Sequence, residues 1–109
     1  MIKSLSLLTR KSGMTKEAFR EVWEGEHAPM VRAVPEVRRY VLSFVLSEAA
    51  TANAPIQAMQ VDAVAELWFD DLAAMQRAAA RPEMQAVLAN GAKYLGMIKP
   101  FVTEEVEII

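Results

Sequence analysis

The stretch from Val37 to Leu46 constrains this chain more than any other. It alternates as a strand does. Val37, Arg39, Val41, Ser43 and Val45 point one way, and Arg38, Tyr40, Leu42, Phe44 and Leu46 point the other. Both faces are largely apolar, yet in a domain of 109 residues the helices of a two-layer fold cover only one face of a sheet. Leaving about six such side chains in water forgoes on the order of 10 kcal/mol, at ~1.5–3 kcal/mol each. That is as large as the whole stability of a typical domain, ~5–15 kcal/mol. A second copy packed sheet to sheet removes the difficulty, so a C2 homodimer is expected.

The remaining segments supply the layers. Ile2 to Thr9 has strand character and ends in the turn signal Arg10-Lys11-Ser12-Gly13. Thr15 stands as the N-cap of a helix over about Lys16 to Glu26, with Phe19, Val22 and Trp23 on its inner stripe. Pro29 opens a short second helix bearing Met30, Val31 and Val34, and Pro35 closes it. Ser47 to Gln60 has no period and reads as a long loop. Val61 to Phe69 is a second strong strand, with Val64, Glu66 and Trp68 opposite Ala63, Ala65, Leu67 and Phe69. Asp70 or Asp71 caps the next helix, whose stripe is Leu72, Met75 and Ala79. Pro82 starts another helix, striped by Met84, Val87, Leu88 and Leu95 and ended by Gly96. Lys99 to Ile109 is the last strand, and the glycines at 13, 25, 91 and 96 read as punctuation. The order β, α, β, β, α-α, β is a split βαβ pattern. It implies an α+β, ferredoxin-like fold over 1–109: a four-stranded antiparallel sheet with helices on one face.

Composition excludes several functions. Twelve Lys and Arg against fourteen Asp and Glu leave a net charge of −2, which disfavours a nucleic-acid partner. With no cysteine there is no disulfide, thiolate site or Cys nucleophile, which fits a reducing cytoplasm. One histidine without cysteine cannot build an ordinary zinc site, and no glycine-rich phosphate loop occurs, so neither metal nor cofactor is expected. The opening residues have too short an apolar core for a secretory signal, and no stretch reaches the ~18 apolar residues of a membrane span.

Few residues remain that can carry chemistry. His27 is the only histidine and shares a helical face with Trp23. It can act as general acid or base, or cap helix carbonyls in a half-buried slot. Tyr40 lies among Leu42, Phe44 and Leu46, where a buried phenol needs a hydrogen-bond partner from protein, water or ligand. Glu66 is a carboxylate in the centre of an apolar strand. It can orient His27, act as acid or base itself, or pair with Arg38 or Arg39. Trp23, Phe44 and Trp68 can line an apolar ligand pocket or form plain core.

Several of these residues also carry a family resemblance. The run Leu8-Thr9-Arg10-Lys11-Ser12-Gly13-Met14-Thr15, then Phe19, Trp23 and Glu26-His27-Ala28-Pro29-Met30-Val31, resembles the opening of EthD-type proteins. So do Pro35 with Val37-Arg38-Arg39-Tyr40, the segment Asp62 to Asp70, and Phe101-Val102-Thr103-Glu104-Glu105. The resemblance implies a dimeric α/β barrel, in a superfamily that includes cofactor-free monooxygenases, polyketide cyclases, muconolactone-type isomerases and haem-binding barrels. The segment from Phe69 to Glu105 is also similar to methylmuconolactone methylisomerases, in which the positions of His27 and Tyr40 matter. Those enzymes carry a cysteine where this chain has Leu67, and a loop histidine that 47–60 lacks.

The expectation is a cofactor-free acid–base enzyme acting on a small apolar carbonyl, lactone or aromatic compound. Its catalytic residues would be His27, Tyr40 and Glu66, in a pocket between the first helix and the sheet lined by Trp23, Met30, Phe44 and Trp68. A non-catalytic dimeric binding protein and a cofactor-free monooxygenase are the rivals.

Overall fold

The computed structural model describes residues 1–49 and 53–109. Its elements run β1 (Ile2–Arg10), α1 (Lys16–Val22), a π-helical turn (Trp23–His27), α2 (Ala28–Met30), a 3₁₀ turn (Val31–Ala33), β2 (Arg39–Phe44), β3 (Ala63–Phe69), α3 (Leu72–Ala79), α4 (Pro82–Ala92) and β4 (Leu95–Glu104). The four strands form one antiparallel sheet in the order β2-β3-β1-β4, the ferredoxin-like topology. Residues 50–52 of the expected loop lie outside the described residues, and its described remainder holds no helix or strand.

Local chemistry explains most boundaries. The Thr15 hydroxyl accepts from the Ala18 N–H at 3.1 Å and starts α1. Asp71, not Asp70, caps α3 by accepting from the Ala74 N–H at 2.8 Å. Pro82 occupies the first turn of α4, where its missing N–H costs nothing. The exit of the long loop is tied to β1, because Asp62 accepts from the Arg10 N–H at 2.8 Å and pairs with the Arg10 guanidinium.

Several expectations need correction. The single helix over Lys16 to Glu26 is α1 followed by a π turn, in which the Ala28 N–H reaches back to the Trp23 carbonyl. Helix α3 buries Ala74 and Ala78, which pack in the second core cluster, and leaves Leu72 exposed. Helix α4 ends at Ala92, and Leu95 and Gly96 belong to β4. Pro100 is therefore mid-strand, tolerated because β4 is an edge strand. Gly91 is inside α4 and buried, not at a break.

Strand alternation divides the sheet cleanly. Ser6 and Leu8 are buried and pair with Ala65 and Ala63, so the even positions of β1 and the odd positions of β3 face the helices, as do Tyr40, Leu42 and Phe44. Two core clusters lie on that face, one around Leu8, Phe19, Trp23, Ala63 and Ala65, the other around Val34, Phe69, Ala74 and Ala78. The opposite face carries Leu5, Leu7, Val41, Val64 and Phe101, with Phe101 exposed. The uncovered apolar surface anticipated for Val37–Leu46 thus comes mainly from β1 and β4, since β2 also turns Arg39 and Ser43 outward.

Candidate active site

Between the sheet and the helices lies a cavity of about 580 Å³, walled by members of both core clusters. Its lining is aliphatic and thioether-rich, with Leu67, Met75, Met84, Val87 and Leu95 among the contributors. The polar side chains in the wall are those of Ser4, Ser6, Trp23, His27 and Tyr40. Leu88, Met97 and Ile98 also line it and are half or more exposed, so the cavity opens between α4 and β4.

His27 projects from the π-helical turn into this wall. It is only 5% exposed, and its ring stacks on Trp23 with centroids 3.8 Å apart. Trp23 in turn stacks on Phe19 at 5.3 Å. Asn90, in the last turn of α4, lies 3.0 Å from His27 Nδ1 through its Oδ1. The Asn90 amide N–H donates to Glu26 at 2.9 Å, and the Tyr94 hydroxyl donates to the same carboxylate oxygen. A carboxylate can only accept, so Asn90 must turn its N–H₂ to Glu26 and its oxygen to the imidazole. An oxygen acceptor at Nδ1 requires the proton there. The neutral ring is then bare at Nε2, which has no hydrogen-bond partner among the described residues. Burial pushes the His27 pKa down from 6.5, against the raising effects of the Asn90 contact and the Glu26 charge, so the ring is neutral at pH 7.

Tyr40 and Trp23 form a second polar feature. Burial pushes the Tyr40 phenol up to about 12, so it is a donor throughout the neutral range. The Trp23 indole N–H lies near enough to Tyr40 to oppose that rise slightly, yet it has no partner at hydrogen-bonding distance and is fully shielded from solvent. The indole N–H is therefore an orphan among the described residues. Unpartnered buried donors are rare in folded proteins.

Three of the anticipated site residues, Trp23, His27 and Tyr40, line the cavity. Glu66 and Trp68 do not. Strand alternation puts both on the opposite sheet face, where Lys3 donates to Glu66 at 2.8 Å and Trp68 donates to Glu105. Arg39 covers the Trp68 ring at 4.7 Å. Glu66 therefore cannot set the imidazole tautomer; Asn90 holds that position. Phe44 packs beside the first core cluster beneath Arg20, and Met30 is half-buried on α2, so neither forms part of the cavity wall.

Asn90 and Gly91 were not legible as site residues. Their signal was an Asn-Gly pair, ordinarily a turn former, inside an apolar helical stripe. A Cβ at Gly91 would lie 3.0 Å from His27 Cε1 and 3.2 Å from the Trp23 ring. Glycine there lets α4 approach the stacked rings.

Among the described residues no cluster of three or more His, Cys, Asp or Glu could hold a metal ion, and no helix is long and apolar enough to cross a membrane.

Comparison with known proteins agrees with this architecture. The chain is 29% identical over 106 residues to the 4-carboxymethyl-4-methylbutenolide mutase of Pseudomonas reinekei, covering 96% of this chain and 98% of that one. An ethyl tert-butyl ether degradation (EthD) family protein from Bacillus halodurans superposes with a TM-score of 0.78 at 23% identity, covering 97% and 99% of the two chains. A dimeric ferredoxin-like protein from Thermobifida fusca superposes with a TM-score of 0.71 at 19% identity, covering 94% and 88%. The EthD domain model matches residues 11–96, and the chain belongs to the EthD domain family.

Proposed function

We propose that this protein is a small-molecule enzyme that performs cofactor-free acid–base chemistry, of an isomerase or cyclase type, on a small apolar carbonyl, lactone or aromatic compound. The observation that carries this reading is the buried neutral imidazole in the cavity wall, held at Nδ1 by Asn90 and bare at Nε2. Nε2 removes a proton next to the substrate carbonyl. Tyr40 donates to the carbonyl oxygen as negative charge develops on it. The imidazolium then returns its proton at a neighbouring atom, which completes an isomerisation without a redox partner. The apolar walls keep water from competing for that proton. The Pseudomonas reinekei relative, a butenolide mutase, supports this class of chemistry. The uncovered apolar sheet face, and the dimeric state of the Thermobifida fusca protein, support a homodimer joined through that face.

The test is proton exchange. A panel of butenolides and enolisable aryl ketones is incubated with the protein in deuterated buffer, and loss of the α-proton signal is followed by NMR. His27→Ala is expected to slow exchange about 10²–10⁴-fold, and Tyr40→Phe about 10²–10³-fold. Exchange that persists at full rate in both variants overturns the assignment. Binding without exchange anywhere in the panel would favour a non-catalytic binding protein.

A further inference from the structure

We infer that the cavity selects neutral ligands bearing a hydrogen-bond-accepting oxygen and rejects carboxylates, because its wall carries a neutral phenol donor, an unpartnered indole N–H behind it, and no cation. This rests on the cavity being the substrate site proposed above. The described residues include every Lys and Arg of the chain, and none of these lines the cavity. Several lie beside wall residues in sequence and are engaged elsewhere: Lys3 pairs with Glu66 at 2.8 Å, Arg39 lies over the Trp68 ring at 4.7 Å, and Lys99 lies over the Phe101 ring at 5.6 Å. Two long stretches of the chain carry no cation at all. Residues 47–60 contain no Lys or Arg, and the chain after Lys99 contains none and three glutamates. Behind the site the Glu26 carboxylate lies beyond Asn90, and the Lys93 ammonium is near enough to favour its charged form, so this outer pair offers a ligand no unpaired cation.

The orphan donor supplies the attractive half. Trp23 is 3% exposed, and its indole N–H faces the Tyr40 hydroxyl without reaching it. A ligand oxygen that accepts from the Tyr40 hydroxyl lies in the same wall as His27, and it also pairs the indole N–H once the side chains that shield that group shift. A ketone, lactone or phenol oxygen fits two uncharged donors. A carboxylate brings a full charge into an apolar enclosure with no counterion, which is costly. The Pseudomonas reinekei relative is named for a substrate with a carboxymethyl group, for which this cavity has no partner.

The experiment compares coumarin, a neutral bicyclic lactone, with coumarin-3-carboxylate, using ¹⁵N–¹H spectra of the intact protein. The chain has two tryptophans, and Trp68, on the far sheet face, is an internal control. Coumarin is expected to move the Trp23 indole N–H downfield and leave Trp68 in place, with the carboxylate binding about 100-fold more weakly. Leu88→Arg, at the exposed rim, is expected to raise carboxylate affinity about tenfold or more. Carboxylate binding as tight as coumarin overturns charge selection and leaves the acid–base proposal standing. Failure of both ligands to move Trp23 overturns the cavity as the substrate site and this inference with it.

Discussion

Replacing Asn90 tests the site at its support, because that side chain ties the imidazole to α4. Asn90→Ala leaves the His27 Nδ1–H without its 3.0 Å acceptor in a ring only 5% exposed. An orphaned buried donor costs ~1–3 kcal/mol. Alanine recovers up to ~0.7 kcal/mol in helix propensity, so the net loss is ~1–2 kcal/mol. For a domain of this length that lowers Tm by about 4–16 °C. The chain has a single histidine, so its ring nitrogens can be read without assignment ambiguity in ¹⁵N spectra. The wild-type neutral ring should show a protonated Nδ1 and a bare Nε2, and Asn90→Ala should show averaged tautomers. Burial lowers the His27 pKa and the Asn90 contact raises it, so deleting the contact moves the titration midpoint further down. Asn90→Asp moves it up, since a carboxylate acceptor favours the imidazolium. A wild-type ring protonated at Nε2, or a midpoint that rises in Asn90→Ala, refutes the tautomer argument.

Gly91→Ala places a methyl 3.0 Å from the imidazole and 3.2 Å from Trp23; the helix gains up to ~1 kcal/mol in propensity, yet the displaced rings should slow exchange about tenfold or more, and an unchanged rate would sink the close-approach role. Because the folded His27 pKa lies below 6.5, the unfolded chain binds the extra proton first, so stability falls as pH drops from 6.5 to the folded value and then levels. Urea titrations of wild type and His27→Gln should differ in slope over that window, and parallel curves contradict the burial argument. A second acid loss begins near 3.8, because Asp62, despite burial pushing its pKa up, is held below the usual carboxylate range by the Arg10 N–H, Gln60 and the Arg10 guanidinium. Phe101→Lys on the uncovered sheet face should convert a dimer to a monomer in sedimentation velocity; a wild-type monomer at micromolar concentration removes the dimer proposal.

The sheet was readable because two-residue alternation in Val61–Phe69 and Val37–Leu46 assigns faces without any knowledge of partners. The same alternation already separated Glu66 and Trp68 from Ala65 and Leu67. What it could not say was which set met the helices, and that depends on register with β1. His27 and Trp23 were paired by their four-residue spacing, though the turn between them is π-helical and not α-helical. Nothing in the spelling Val22-Trp23-Glu24-Gly25-Glu26-His27 distinguishes the two. Asn90 escaped notice because a hydrogen-bonding partner sixty-three residues away has no sequence period, and only the packing of α4 on the π turn reveals it.

The π turn makes the aim of the imidazole a matter of counting. The Ala28 N–H bonds to a carbonyl five residues back where an α-helix would use four, so the segment carries one residue in surplus. Each residue advances an α-helix by about 100°. Excising exposed Gly25, whose position meets no neighbour within 4 Å, would restore ordinary winding and swing His27 off Trp23. Losing that single codon would turn the imidazole away from Asn90 in one genetic step, with every lining side chain still present.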